Sequence, residues 1–387
     1  MSRPLLMIPG PVEVDESVLA ALGQPPLGHT SPAFIDIFSA CLDSLREAFC
    51  APDGQPIVAA GSGTLAMELA VANVIEPGER AIVVDTGYFS RRMADVLTRH
   101  GAAVEIASAP AGDCPALEQV ESALQTGAKV LAITHVDTST GVLAPVAELA
   151  ALARQYDALT LVDGVCALGG EEFEMEKWDV DICLTTSQKA LAVPAGIAIV
   201  VARPRAIEAF NSRRHPVASY YCDWGLWLPV MRAYQARKPS YFATPPTNLI
   251  VGLNESVRQI LSQGLETRWA RHRKLGASMR AAMRALGLKL VPVRSNLIAD
   301  TLTTVYYPNG IDDALVGRIG QHGVVIAGGL HPDIKGRYFR VGHMGIVSDA
   351  EIRQTVAAIE AALKDAGYPV EAGSSVAAAQ AAYKQAR

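Results

Sequence analysis

The feature that most constrains the fold is an alternation of short apolar runs with longer amphipathic segments between residues 55 and 205. Five apolar runs predict buried strands, at residues 80–85, 129–135, 158–163, 181–185 and 196–202. The segments between them have helical periodicity, at residues 64–75, 89–100, 115–125 and 144–156. This alternation predicts an α/β fold with a mostly parallel sheet covered on both faces. Such sheets bind ligands at the carboxyl ends of their strands.

A second block of mixed pattern begins near residue 250 and predicts a smaller α+β domain. Its helical segments are residues 249–263, 266–286 and 349–366, and its strand-like runs are 288–291, 301–306, 323–326 and 337–342. We therefore divide the 387 residues into an arm (1–20), a large domain (21–250), a small domain (251–370) and a tail (371–387). The Ala-, Ser- and Gln-rich tail predicts a frayed helix or a disordered segment.

Composition excludes several classes of partner. The net charge is −5 and no run of Lys or Arg is present, which argues against a nucleic-acid partner. No apolar stretch reaches the roughly 18 residues that span a bilayer, and the N-terminal apolar run is too short for a signal peptide, so we expect a cytoplasmic protein. The six cysteines form no C-x-x-C pair, which predicts buried, reduced thiols and no metal site.

The first motif that could carry chemistry is Gly61-Ser62-Gly63-Thr64, at the start of a helical segment. Small residues before a helix let an anion approach the free N–H groups, and the helix dipole favours a phosphate there. An ordinary N-cap formed by Ser or Thr is the alternative. Because no Walker lysine and no G-x-G-x-x-G pattern accompany the motif, a nucleoside triphosphate or a dinucleotide is disfavoured.

Asp163 and Lys189 each follow a predicted buried strand. A carboxylate at the end of an apolar strand must be capped or paired, and Asp163 could pair with a cationic ring nitrogen or simply form a turn with Gly164. Lys189 is flanked by small, uncharged residues, which suits a Schiff-base lysine inside a pocket better than a solvated charge. A surface lysine in a loop remains the alternative.

Arg340 lies in the strand-like run 337–342, on the same face as Tyr338. A guanidinium forks onto a carboxylate through two parallel hydrogen bonds, as an amino-acid substrate would require, whereas a structural ion pair is the alternative. A phosphate cradle, an acid, a lysine and this arginine are together the groups that a pyridoxal 5′-phosphate (PLP) enzyme needs.

Around these residues the sequence resembles the class V aminotransferases of PLP fold type I, and among them the alanine–glyoxylate (serine–pyruvate) aminotransferases. The resemblance runs from residue 8 to about residue 365, and Asp163 and Lys189 lie 26 residues apart, as in the family. The motifs that carry it are Ile8-Pro9-Gly10-Pro11, Gly28-His29-Thr30-Ser31-Pro32, Ala60-Gly61-Ser62-Gly63-Thr64, Thr134-His135-Val136-Asp137-Thr138-Ser139-Thr140-Gly141, Val162-Asp163-Gly164-Val165, Ser187-Gln188-Lys189-Ala190, Tyr241-Phe242-Ala243-Thr244-Pro245-Pro246 and Arg340-Val341-Gly342-His343-Met344-Gly345.

The resemblance implies a seven-stranded, mostly parallel sheet, PLP as the cofactor, and a role for each matching residue. It implies that Lys189 attaches the cofactor covalently and that Asp163 pairs with the pyridine nitrogen. The remaining implied cofactor contacts are Ser62, Gly63, Thr64 and Gln188 at the phosphate, Thr138 at the ring hydroxyl, and Phe89 stacked on the ring where the family often has Trp. Arg340, Gly10 and Gly28 are implied to bind the substrate.

The resemblance further implies a homodimer, because Tyr241 and Thr244 would reach the phosphate in the neighbouring subunit. The expected reaction moves an amino group from alanine or serine to glyoxylate in a ping-pong sequence. We expect dicarboxylic substrates to react poorly, because no second arginine is evident at a position that would bind a distal carboxylate. The obvious extra cations, Arg213 and Arg214, lie in a charged stretch that suits the surface.

Four other functions stay open from the sequence. A ureidoglycine–glyoxylate aminotransferase shares much of the pattern. A cysteine desulfurase is the second, although it needs a mobile thiol beyond Cys222, the last cysteine, and usually has His where this chain has Gln188. A non-catalytic PLP-binding protein and a doubly wound nucleotide-binding protein are the other two.

Overall fold

The computed structural model describes residues 3–386. In the first 211 residues the elements are, in chain order, β1 (Leu5–Leu6), α1 (Glu16–Leu22), α2 (Pro32–Ala48), β2 (Gln55–Gly61), α3 (Gly63–Val74), β3 (Arg80–Asp85), α4 (Tyr88–Arg99), β4 (Ala103–Ser108), α5 (Leu117–Leu124), β5 (Val130–Thr134), β6 (Val136–Asp137), β7 (Val142–Leu143), α6 (Val146–Gln155), β8 (Leu159–Asp163), β9 (Ile182–Thr186), β10 (Gly196–Ala202) and α7 (Pro204–Asn211).

The rest of the chain is richer in helix. Its elements are α8 (Trp224–Gln235), α9 (Thr247–Gln263), α10 (Leu265–Ala285), β11 (Leu302–Tyr306), α11 (Ala314–Gln321), β12 (Val324–Val325), β13 (Ala327–Gly328), β14 (Tyr338–Gly342), α12 (Asp349–Asp365) and α13 (Ser374–Gln385), with two short 3₁₀ helices at Ser295–Leu297 and Pro332–Ile334. Capping supports several of these elements: α12, for example, begins with a capping box between Ser348 and Glu351.

The central element is a seven-stranded sheet in the order β2-β10-β9-β8-β5-β3-β4. Strand β10 pairs antiparallel with both of its neighbours, and the other pairs are parallel, which confirms the predicted mostly parallel sheet. Helices α3, α4, α5, α6 and α8 pack on the sheet. The carboxyl ends of β2, β3, β5, β8 and β9 therefore lie along one edge, where a ligand site is expected.

The sequence predicted the five inner strands and missed the two at the edges, β2 and β4. Edge strands have one unpaired side and tolerate residues that inner strands exclude. Pro56 shortens the apolar run of β2 to residues 57–60, and Glu105 interrupts that of β4. Continuous apolar runs therefore mark the five inner strands.

The second half of the chain builds a separate apolar cluster. One cluster extends from Val18 to Leu297 and includes the seven-stranded sheet, whereas the other contains Met7 and residues between Leu275 and Ala379. Strand β1 pairs in parallel with β12, so the N-terminal arm joins the second cluster. Helix α9 packs on α1 and α2 of the first cluster, and the proposed domain boundary at residues 250 and 251 stays a prediction.

Two local expectations differ from the structure. Residues 288–291 form only an isolated bridge between Leu290 and Val305, because Pro292, which has no N–H to donate, follows directly. The tail was expected to be frayed or disordered, but Ser374–Gln385 forms helix α13, which packs on α10 and buries Ser375 and Ala379. Alanine supplies both high helix propensity and a flat surface for close packing. Arg387 lies outside the described residues.

Two further findings bear on the sequence expectations. Five of the six cysteines are buried and Cys50 is partly exposed, and all six are free thiols in the structure. In the described part of the chain, no helix combines the length and the apolar character that crossing a bilayer requires.

Candidate active site

A pocket lies at the carboxyl edge of the sheet and brings together most residues that the sequence singled out. Its cavity volume is about 130 Å³. Its lining includes the predicted residues Ser62, Gly63, Thr64, Phe89, Thr138, Asp163, Gln188 and Lys189. Because six of the seven strands have their carboxyl ends at this edge, motifs far apart in sequence meet in one cleft.

Asp163 is the last residue of β8 and is buried at the floor of this pocket. Its Oδ1 accepts a hydrogen bond of 2.9 Å from the Val165 N–H, and no described cation forms an ion pair with it. Burial raises the pKa of Asp163 to about 7, against weaker opposing effects of the Val165 N–H, Lys189 and Arg92. A carboxyl in this state is prepared to pair with a cationic group of a ligand.

Lys189 follows β9 and directs its amine toward the N-terminal arm. The Nζ atom donates a hydrogen bond to the Pro9 carbonyl. Gly10 has a φ of +94°, and a Cβ atom at this position would lie 2.7 Å from Lys189 Nζ. The predicted substrate residue Gly10 thus lies against the lysine, and only a glycine fits there.

Helix α3 presents an open N-terminus to the same pocket. Ser62 is its N-cap residue, but the Ser62 side chain forms no capping hydrogen bond. The first N–H groups of the helix therefore keep their capacity to bind an anion. Gln188 lines the pocket nearby, and its Oε1 accepts a hydrogen bond of 2.8 Å from Thr186 Oγ1, which leaves the amide nitrogen free to donate.

Phe89 and Thr138 line the pocket, and the buried residue Asp137, which precedes Thr138 in the chain, positions the backbone of Phe89. Asp137 Oδ2 accepts a hydrogen bond of 3.0 Å from the Phe89 N–H, at the start of α4. Burial raises the pKa of Asp137, although Ser139 and the α4 N–H groups oppose this shift. Sequence reasoning gave Asp137 no role; its place directly before Thr138 in a polar motif was the available signal.

Arg340 lies next to the pocket rather than in its lining. Its Nε donates to the Gly328 carbonyl at 2.7 Å, and its Nη1 donates to the Thr138 carbonyl at 3.3 Å. Burial lowers the pKa of Arg340 from its ordinary value. These two backbone contacts hold the guanidinium beside Thr138 and leave Nη2 without a protein partner among the described residues.

Three predicted site residues do not reach the pocket within one chain. Gly28, Tyr241 and Thr244 are exposed, and Tyr241 retains 62% of its accessible surface. They nevertheless lie in one region, because the rings of His29 and Tyr241 are 5.3 Å apart. For Tyr241 and Thr244, exposure is what the predicted reach into the neighbouring subunit would require, and that reach stays a prediction.

The pocket also contains residues that the sequence did not identify, namely Met67, Arg92, Val136, Val165, Cys166 and Thr186. Arg92 is the charged residue among them, and it lies one helical turn after Phe89 on α4. This i, i+3 spacing was the signal that could have found it. Cys166 is buried beside Thr138, and burial raises the pKa of its thiol to about 11, so it is neutral near pH 7.

These groups fit the three polar parts of PLP. The open N-terminus of α3 matches a phosphate, the buried and unpaired Asp163 matches a protonated ring nitrogen, and Lys189 matches an aldehyde. A mostly parallel seven-stranded sheet with these groups in one cleft defines the class of PLP-dependent transferases of fold type I.

Comparison with known proteins narrows the class. Residues 19–344 match the family described as Aminotransferase class-V. Alanine–glyoxylate aminotransferase 1 of Saccharomyces cerevisiae is 40% identical over 358 residues, which cover 89% of this chain and 92% of that protein. L-aspartate–glyoxylate aminotransferase of Paracoccus denitrificans is 34% identical over 388 residues, with coverage of 98% and 96%.

Solved structures agree with the sequence comparison. The crystal structure of ureidoglycine–glyoxylate aminotransferase from Bacillus subtilis superposes with a TM-score of 0.91 at 30% identity, and the match covers 100% of this chain and 99% of that one. The chain belongs to the class V aminotransferase family. It is an aminotransferase that uses PLP and acts on amino-acid and 2-oxo-acid substrates.

Proposed function

We propose that this enzyme transfers the amino group of alanine or serine to glyoxylate by a ping-pong mechanism. The observation that carries the proposal is the placement of Lys189 and Asp163 in one pocket, with the Arg340 guanidinium beside it. The similarity to an alanine–glyoxylate aminotransferase at 40% identity supports the choice of both substrates.

PLP, when bound, supplies an aldehyde for attachment and a ring that withdraws electrons from the substrate Cα atom. The Lys189 amine holds the cofactor and, once the substrate amine displaces it, takes the α-proton as general base and returns it as general acid. The Asp163 carboxylate keeps the ring nitrogen protonated. We expect Asp163→Asn to lower the rate of transamination on the order of 10² or more, as loss of an electrostatic stabiliser does.

The Arg340 guanidinium would bind the α-carboxylate that every substrate of this reaction carries. Nε and Nη1 are already bonded to backbone carbonyls, so the side chain is held in one orientation before a substrate arrives. Such preorganisation reduces the entropy lost on binding. Replacing Arg340 by Lys would keep the charge and lose the fixed planar geometry.

The expectation that dicarboxylic substrates react poorly rested on the absence of a second arginine, and that premise is wrong. Arg213 Nη1 bonds to the Ile75 carbonyl at 2.6 Å, and the Arg214 N–H bonds to Glu76, so neither residue faces the pocket. Arg92 does line the pocket. The preference for a small amino donor therefore depends on what Arg92 binds.

Cys166 is the described thiol in the pocket lining and bears on the desulfurase alternative. Its pKa is raised to about 11 and its side chain is buried against Thr138, so it offers neither the thiolate nor the mobility that sulfur transfer needs. Cys222 is also buried. Both observations favour transamination.

The test has two parts. Single half-reactions with each donor are followed by the loss of the visible absorption of the bound cofactor, and kcat/KM is measured for each donor–acceptor pair. Alanine, serine, glycine, aspartate, glutamate and ureidoglycine are compared as donors, and glyoxylate, pyruvate and 2-oxoglutarate as acceptors. We expect alanine or serine with glyoxylate to have the highest kcat/KM. Glutamate or ureidoglycine as the best donor, or 2-oxoglutarate as the best acceptor, would contradict the proposal.

The same panel with Arg340→Lys tests the carboxylate site. We expect every pair to lose binding by about 1–3 kcal/mol, on the scale of a hydrogen bond to a charged group. Arg318→Lys, on the exposed surface of the small domain, is the matched control and should leave all pairs unchanged. Unchanged kinetics in Arg340→Lys would show that Arg340 is only structural.

A further inference from the structure

Arg92 is a pocket cation to which the proposed function assigns no role. Helix α4 begins at the carboxyl end of β3 and carries Phe89 and Arg92 one turn apart. The Arg92 guanidinium lies 4.9 Å from the centre of the Phe89 ring and 5.1 Å from that of Tyr88. Two cation–π contacts thus hold it at the pocket wall. The neighbouring Arg91 instead pairs with Asp85 at 3.0 Å.

The hydrogen bonds of Arg92 place its guanidinium beside the open N-terminus of α3. Its Nη1 donates to Thr64 Oγ1 at 3.1 Å, and its Nη2 donates to the Tyr88 hydroxyl at 3.3 Å. A hydroxyl that accepts from a guanidinium keeps its own hydrogen for another acceptor. Thr64 lies in the first turn of α3, so this hydrogen is available to an anion at the same helix end.

The distribution of charge in the pocket also supports an anion site beside Arg92. Within the described lining, Arg92 and Lys189 are the cationic side chains and Asp163 is the anionic one. No described carboxylate forms an ion pair with Arg92, although the side chain is only partly exposed. A phosphate carries close to two negative charges, and a guanidinium is a strong partner for it.

We infer that Arg92 is a phosphate-positioning residue, which orients the Thr64 hydroxyl and neutralises part of the charge of the cofactor phosphate. This inference rests on the proposed assignment of Ser62, Gly63 and Thr64 to the phosphate. It also deepens the proposed function, because an arginine engaged at the phosphate does not serve a distal carboxylate. Dicarboxylic donors then meet no free cation in the pocket.

The experiment measures equilibrium binding to the apoenzyme of pyridoxamine 5′-phosphate and of pyridoxamine, by quenching of protein fluorescence. Neither ligand can form the covalent bond to Lys189, so non-covalent contacts decide the affinity. We expect Arg92→Ala to weaken the phosphorylated ligand about ten- to a hundredfold and to leave the unphosphorylated one unchanged. Arg92→Lys should recover part of the loss.

Two further variants sharpen the result. Arg99→Ala removes the same charge from an exposed position two turns along α4 and should change neither affinity. Thr64→Ala combined with Arg92→Ala should lose less than the sum of the single losses, because both act on one hydrogen-bonded unit. Thermal unfolding of each apoprotein shows whether it is folded.

Equal losses for the two ligands, or no loss, would overturn the inference. So would unchanged affinity for pyridoxamine 5′-phosphate together with a selective loss of aspartate turnover, because Arg92 would then bind a substrate carboxylate. The choice of amino donor does not enter the binding measurement. Failure of the proposed function and failure of this inference are therefore distinguishable.

Discussion

At the scale of single residues, the pocket combines side chains placed by strand ends with side chains placed by the packing of a helix. Asp163 is the last residue of the apolar strand β8, and Lys189 lies three residues after the end of β9, so local sequence indicated both. Arg92 reaches the pocket only because α4 directs its Phe89 face inward, which depends on how the helix packs on β3 and β5. The roles that the resemblance implies for Tyr241 and Thr244 would depend on a second subunit.

Asp163 makes the stability of the apoenzyme depend on pH. Its pKa rises from 3.8 to about 7 on folding, so the folded protein keeps a proton that the unfolded chain releases. The contribution of Asp163 to stability is therefore largest below about pH 4, falls between pH 4 and pH 7, and stays constant above. We expect apo Asp163→Asn to lack this loss and to exceed the wild type at pH 8 by about 2–4 kcal/mol.

Urea unfolding of both apoproteins at pH 5, 6, 7 and 8 measures this difference. Other buried acids, such as Glu171 with a pKa raised to about 8, titrate in both proteins and cancel. We expect the advantage of the variant to shrink steadily as the pH falls. An advantage that does not depend on pH would show that Asp163 is not the titrating group.

Gly10 combines a backbone conformation that favours glycine with close packing against Lys189. In Gly10→Ala the new methyl group would meet Lys189 Nζ and would also strain a φ of +94°. We expect a loss of stability of about 1 kcal/mol or more, together with slower attachment of PLP as followed by visible absorption. Gly78→Ala, with a φ of +87° and nothing within 4 Å, is the control for backbone strain alone. Identical rates of attachment in the two variants would refute a role for Gly10 beside the lysine.

At the scale of elements, the sequence predicted those with continuous apolar runs or strong helical periodicity. The inner strands of the large sheet were found, whereas the edge strands β2 and β4 were not, because Pro56 shortens the apolar run of β2 and Glu105 interrupts that of β4. The helical order of the tail was underestimated for another reason. Its alanines carry little apolar area each, so their close packing on α10 has no strong signature in sequence.

Helix α13 should contribute to the stability of the small domain. Ala379 is fully buried, whereas Ala377, half a turn away, is exposed. We expect Ala379→Asp to lower the free energy of unfolding by roughly 2–4 kcal/mol, since it buries an unpaired charge in a close contact. Ala377→Asp should change it by less than about 0.5 kcal/mol. Equal effects in chemical denaturation would mean that α13 does not pack on α10 in solution.

At the scale of the whole molecule, one chain supplies an almost complete pocket and leaves polar and aromatic residues exposed elsewhere. The region around Gly28, His29, Tyr241 and Thr244 is the clearest case. Sequence could predict this region only through the family resemblance, because a residue that serves another subunit has no distinctive local pattern. Symmetric dimers are also the commonest oligomers.

We expect a homodimer in which Thr244 of each subunit serves the other site. Lys189→Ala and Thr244→Ala are each expected to be impaired. If the two variant dimers exchange subunits, a hybrid dimer contains one site with both Lys189 and Thr244 intact. The mixture should therefore be more active than either variant alone. No gain on mixing, or a monomer at micromolar concentration in sedimentation, would contradict the shared site.

The N-terminal arm contacts both Lys189 and the strand that carries Arg340. The Pro9 carbonyl accepts a hydrogen bond from the Lys189 amine, and two residues earlier the Met7 carbonyl accepts one of 2.7 Å from Gly342, the last residue of β14. Strand β14 also carries Arg340. Only Ile8 lies between Met7 and Pro9, so little chain is available to absorb a shift of the strand. Any displacement of β14 that accompanies carboxylate binding would therefore move the Pro9 carbonyl that accepts from the Lys189 amine. Binding of a carboxylate at Arg340 would in this way change the hydrogen bond of Lys189.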